Sequence, residues 1–145
     1  METLETLAER YLVRGLRQSD GSTLSAIERA ERRLGCPLPQ SIRDYYAKCG
    51  RNRRFNKSHH VVRGLREVAI EQGYLIVMDE NQDVVSWGIP LANIADVDPI
   101  LWQRNNTPPV AWHSEEKTWS ELLASMFAWY AEAGIWRQPR HQPRR

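Results

Sequence analysis

Tyr74-Leu75-Ile76-Val77-Met78 is followed by Asp79-Glu80-Asn81-Gln82-Asp83 and then by Val84-Val85-Ser86-Trp87-Gly88-Ile89. β-Branched and aromatic residues suit a pleated, packed surface, and acidic and amide residues suit the turn between two such runs. The stretch therefore predicts an antiparallel hairpin over 74–89, its first strand long enough to lie inside a sheet.

The flanks carry helical rather than alternating periods. Upstream, Leu4, Leu7, Ala8, Tyr11 and Leu12 recur at helical spacing, and Gly15 with Ser19-Asp20-Gly21 marks the end of that helix. Ile27, Ala30 and Leu34 form a second stripe, with Ser25 and Glu28 at capping-box spacing and Gly35 placed to turn left-handed at the helix end. Leu38-Pro39 opens a third helix whose buried face is Ile42, Tyr45, Tyr46 and Cys49, closed by Gly50. Residues 51–60 have no apolar period and read as a long exposed loop, after which Val61, Leu65, Val68 and Ile70 bring strand texture.

Downstream, 90–99 is a connector, and Ile100-Leu101-Trp102 and Val110-Ala111-Trp112 are short strands around a proline loop. Thr118 and Glu121 form a capping box ahead of Leu122, Leu123, Met126, Phe127 and Tyr130, and Gly134 ends that last helix. Helices from both chain ends around a central antiparallel sheet make the class α+β, one domain over 1–136. Residues 137–145 contain no apolar residue except proline and are expected to form a disordered basic tail.

The formal charge of +2 belongs to that tail, because removing its four Arg from the 20 bases leaves 16 against 18 acids. No apolar run reaches membrane-spanning length, and acids at Met1–Arg10 do not match a signal peptide, so a cytoplasmic protein without membrane association is expected. Cys36 and Cys49 are expected to be reduced, unbridged and turned to the core.

Tests for chemistry give little. The eight Gly form no phosphate-cradling pattern, which excludes nucleotide binding by those devices. Asp79-x-Asn81-x-Asp83 copies the start of a calcium loop, but Val84 stands where the loop needs Gly and Pro90 where it needs a bidentate Glu. His59-His60 reads as an exposed loop pair, and Glu28/Glu31 and Glu115/Glu116 as solvated faces. No metal, cofactor, small-molecule substrate or catalytic residue is expected. Among the six Trp, Trp87 and Trp119 read as core, whereas Trp129 and Trp136 form a candidate exposed aromatic pair.

Charge is more informative. Arg43 to Arg66 holds eight bases against the single acid Asp44, and Glu67 to Gln103 holds seven acids and no base. Asp79, Glu80, Asp83, Asp96 and Asp98 are the candidate partner-binding residues, with the hairpin turn expected to push Asp79, Glu80 and Asp83 outward together. Reversal of Asp79 and Asp83 to Lys is then expected to leave stability nearly unchanged. Arg51, Arg53, Arg54 and Lys57 are the alternative, basic surface.

Ile27, Glu31, Leu34-Gly35 and Leu38-Pro39, then Tyr45-Tyr46 and Gly50, resemble the N-terminal signature of the SUKH superfamily of Smi and Knr type. Gly73 to Val77, Glu80-Asn81-Gln82, Trp87-Gly88-Ile89, Asp98-Pro99 and Trp112 are similar to the region that follows it in bacterial members. The resemblance spans residues 24–131. It implies an α+β immunity protein that binds and occludes a cognate toxin domain, a nuclease among the options, with no catalytic residues of its own. A regulatory scaffold of the same fold is the alternative. Nucleic-acid binding through the Arg43–Arg66 block and the tail is a more distant third.

Overall fold

The computed structural model describes residues 3–11 and 14–136, with no account of the Tyr11 side chain. Leu12 and the 137–145 tail lie outside the described residues. The elements are α1 (Leu4–Tyr11), a 3₁₀ turn (Gln18–Asp20), α2 (Leu24–Leu34), α3 (Gln40–Cys49), α4 (Arg53–Lys57), β1 (Val61–Val62) and β2 (Ala69–Glu71). They continue as β3 (Tyr74–Asp79), β4 (Val85–Pro90), a second 3₁₀ turn (Leu91–Asn93), β5 (Ile100–Asn105), β6 (Trp112–Thr118) and α5 (Trp119–Glu132). The fold is mixed α+β, with a six-stranded antiparallel sheet.

The hairpin is the centre of that sheet. β3 pairs with β4 on one side and with both β1 and β2 on the other, and β5 and β6 extend the sheet beyond β4. A register shift between Ile76 and Met78 lets Leu75, Val77 and Met78 all join the main core, while Ile76 is buried outside that cluster. At Gly88 a Cβ would lie 2.9 Å from the Leu75 carbonyl oxygen, so the two central strands approach too closely there for any other residue.

The helices cover the sheet with the stripe expected for α3, since Ile42, Tyr45, Tyr46 and Cys49 are all buried. Trp119 at the start of α5 meets the Tyr45 ring edge-on at 5.4 Å. The Thr118–Glu121 capping box forms as expected, and Gly35 takes the left-handed conformation with φ 78°. The start of α2 differs. Thr23 is its cap, accepting from Ala26 N–H at 3.1 Å, because the helix begins at Leu24 and places Ser25 inside the first turn.

Residues 51–60 are not a loop. Asn52 caps α4 by accepting from Phe55 N–H at 3.0 Å, and Phe55 is fully buried, stacked on Phe127 with centroids 4.5 Å apart. Trp136 is buried beside them, 5.1 Å from Phe127, so it forms no exposed pair with Trp129, which alone is 44% exposed. A five-residue helix with one apolar side chain has no period to read, and its burial depends on a partner 72 residues away in sequence. Cys36 and Cys49 are free thiols, but only Cys49 is buried, Cys36 being half-exposed at the end of α2.

Candidate functional site

Three hollows on one face meet at Arg51. The first, ≈ 650 Å³, is lined by Arg51, Arg53, Lys57 and Arg63 together with Glu67 and Asp79. The second, ≈ 550 Å³, adds Arg29, Arg33 and Arg66 from α2 and the β1–β2 connection. The third, ≈ 480 Å³, adds Arg14, Arg17 and Arg54 with Asp20. Ten bases thus surround a trough that holds three carboxylates. Half of the 20 Lys and Arg in the chain are on this one face, in a body whose charges nearly cancel.

The walls are held by groups aimed inward. Asn56, on the buried side of α4, donates from Nδ2 to the carbonyls of Cys49 and Asn52, both at 2.7 Å, and accepts from the Tyr45 hydroxyl at 2.5 Å. Arg33 donates to the carbonyls of Leu65 and Val68 at 2.9 and 2.8 Å, which ties α2 to the β1–β2 connection. Arg54 donates to the Trp136 carbonyl and lies against its ring.

Asp20 anchors the third hollow. It accepts two bonds from Arg14, at 2.7 and 3.0 Å, and one from Arg17 N–H at 2.8 Å, while its own carbonyl accepts from Arg51 N–H. The Arg14 guanidinium lowers the Asp20 carboxyl from 3.8 to about 2, against the upward pull of burial. A carboxyl more acidic folded than unfolded stabilises the fold above its unfolded value, and that contribution is lost as pH falls through its folded value. Acid titration of stability is therefore expected to show a limb between about pH 4 and pH 2 that Asp20→Asn removes, checked by urea unfolding across that range.

The five candidate acids are not one cluster. Glu80 and the exposed Asp83 occupy the β3–β4 turn. Asp96 and Asp98 precede β5 at the opposite end of the sheet, one strand length away, about 17–20 Å. Asp98 accepts from Ser120 N–H and Oγ at 3.1 and 3.0 Å at the start of α5, and Asp96 accepts from Asn93 at 3.2 Å.

Asp79 is not pushed outward with the turn. The β1–β3 register, Val61 opposite Asp79, brings Arg63 over it, with bidentate bonds at 2.7 and 3.0 Å and a third from Ser86 Oγ at 2.7 Å. Burial raises the Asp79 carboxyl, but Arg63 and Ser86 outweigh it and leave the group below its ordinary range. Glu71 then links Arg63 to Arg104 at 3.2 and 2.9 Å. Asp79→Lys is accordingly expected to destabilise the fold by about 2–4 kcal/mol, since it sets a second cation against a largely buried guanidinium, whereas Asp83→Lys should change it by less than about 0.5 kcal/mol. Chemical denaturation of the two single variants separates these outcomes.

Arg51, Arg53, Lys57 and Arg54 all line the trough, and Asp79 joins them on its floor. Arg14, Arg17, Arg29 and Arg33 escaped the sequence reading because they precede the 43–66 block. The spacing of Arg29 and Arg33, one turn apart on the polar face of α2, is the signal that could have found two of them.

His59 and His60 are half-buried rather than loop-exposed. Their rings are 4.6 Å apart and pack on Trp129 and Tyr130, and His60 Nδ1 accepts from Asn81 N–H at 3.3 Å. Among the described residues no three His, Cys, Asp or Glu converge as a metal set, and no helix is long and apolar enough to cross a membrane.

No curated protein and no solved structure matches this chain. The family described as SMI1 / KNR4 family (SUKH-1) matches residues 21–132, which takes in α2 to α5, the whole sheet and most of the trough. With the order of elements and the matched span both on that pattern, the chain belongs to the SMI1 / KNR4 family (SUKH-1).

Proposed function

We propose that this protein is an immunity protein, which binds a cognate toxin domain in the cytoplasm and blocks it by occlusion, without catalysis. The observation that carries this reading is the trough at Arg51, a concave face where Arg51, Arg53 and Lys57 make no ion pair with any other described residue. Unpaired like charges held together cost stability, and a partner surface compensates them. Family membership supports a protein as that partner. An interface of standard size, about 1,600 Å² in total, is larger than the trough and extends over its rim.

The test is co-expression. Toxin domains encoded beside this gene are expressed in a sensitive host with and without the chain, and the purified pair is then assayed. Restored growth together with an inhibited, stoichiometric complex is the expected result. Persistent toxicity with every neighbouring candidate overturns the reading. A complex that leaves the toxin fully active favours a regulatory scaffold instead.

A further inference from the structure

We infer that the trough at Arg51 receives an acidic segment of a protein, one or two aliphatic side chains flanked by carboxylates, rather than a nucleic acid strand. This rests on the occlusion reading above and names the chemistry of its contact. With Arg14 paired to Asp20 and Arg63 to Asp79, eight bases remain facing Glu67, and that balance favours an anionic occupant. The composition of the lining then separates the two kinds of polyanion.

Proteins that bind single strands place aromatic rings between their cations, because base stacking supplies much of the affinity. None of the three hollows is lined by a Trp, Tyr, Phe or His. The chain has aromatic residues to spare, but they lie elsewhere, in the core around Phe55 and Phe127 or in the stacked pair of Tyr74 and Trp112. Between the cations of the first hollow are instead Gly50, Val61, Val62 and Gly64, and in the second Ala26, Ala30 and Leu65. Small and aliphatic surface between guanidinium groups fits a short apolar side chain with Asp or Glu on either side.

Glu67 argues in the same direction. It is exposed and lines both of the first two hollows beside Arg51. A carboxylate at the junction repels a continuous phosphate backbone, whose charges recur at every nucleotide, but a peptide accommodates it with a backbone N–H or a hydroxyl.

The experiment measures fluorescence anisotropy with three probes. They are a labelled 12-residue peptide alternating Glu and Asp with Leu, its Gln and Asn analogue, and a labelled single-stranded RNA of matched length and charge. The acidic peptide is expected to bind the wild-type protein at about 50 mM salt. Arg51→Glu/Arg53→Glu should weaken that binding about tenfold or more, with the difference shrinking as salt rises. Both side chains are exposed and make no ion pair with any other described residue, so thermal melting of the variant should match wild type and exclude misfolding. Lys117→Glu, outside the trough, should leave peptide binding unchanged.

Tighter binding of the RNA than of the peptide, lost in the same double variant, overturns the inference in favour of nucleic acid. Equal peptide binding by wild type and double variant overturns the site. A toxin that binds the double variant as tightly as wild type overturns the contact chemistry and leaves the occlusion reading intact, whereas peptide binding with no toxin partner does the reverse.

Discussion

Gly21→Ala is expected to be the most destabilising small substitution in this chain, about 3 kcal/mol or more. A Cβ at Gly21 would lie 1.8 Å from the Ala47 carbonyl oxygen and 2.8 Å from its carbon, which is backbone in the last turn of α3 and has no rotamer to yield. The φ of −95° is open to any residue, so the demand is for space and not for an unusual conformation. To relieve the overlap the segment before α2 must lift from α3. That costs the Ser22 N–H bond to Tyr46 and the Arg51 N–H bond to Asp20, both at 2.8 Å. A thermal midpoint lowered by roughly 10 °C is the expected reading for a chain of this size. Gly15→Ala is the matched control, because nothing lies within 4 Å of its Cβ position, and its midpoint should stay near wild type. An equal fall for both variants would place the effect outside this contact.

The second large effect is expected at Asn56, where replacement by Leu keeps the volume and removes the polar atoms. The Tyr45 hydroxyl then loses its partner, and the carbonyls of Cys49 and Asn52 each lose one of two bonds, keeping those from Asn52 N–H and Asn56 N–H. An orphaned buried hydroxyl costs about 1–3 kcal/mol and each lost amide bond about 0.5–1.5 kcal/mol, so the total should be roughly 3 kcal/mol. Because α4 carries Arg53 and Lys57 on the trough wall, the same variant should also lose affinity for the partner, even at temperatures where it remains folded. Urea unfolding measures the first effect and titration with the acidic peptide at low temperature the second. A stable Asn56→Leu protein would show that neighbouring groups or solvent replace all three bonds.

Much of the scaffold was legible in the residues because it depends on short-range chemistry. The hairpin over 74–89, the stripe Ile42, Tyr45, Tyr46 and Cys49, the Thr118–Glu121 box and the left-handed Gly35 each follow from spacing or from one residue's conformational freedom. The element that escaped, α4, has no such local mark. Phe55 is a lone apolar residue among cations and amides, and it becomes core only because Phe127 and Trp136 come back to cover it.

The candidate site was legible only as charge. Reading along the chain groups neighbours in sequence, so it joined Asp79, Glu80, Asp83, Asp96 and Asp98 into one acidic surface and cut the basic surface short at Arg43. Folding regroups them by sheet register and helix packing. Two antiparallel strands carry the connection with Asp96 and Asp98 a full strand length from the turn with Glu80 and Asp83. The β1–β3 pairing sets Arg63 against Asp79 and removes both from the free charge. Residues from the N-terminal 3₁₀ turn, α2, α4 and the β1–β2 connection converge on Arg51 to make the basic trough. Hydrophobic period and turn chemistry act over a few residues and so are written in the local sequence. Coulomb interactions act through space, and which charges pair and which remain for a partner is set by distances that exist only after the chain has folded.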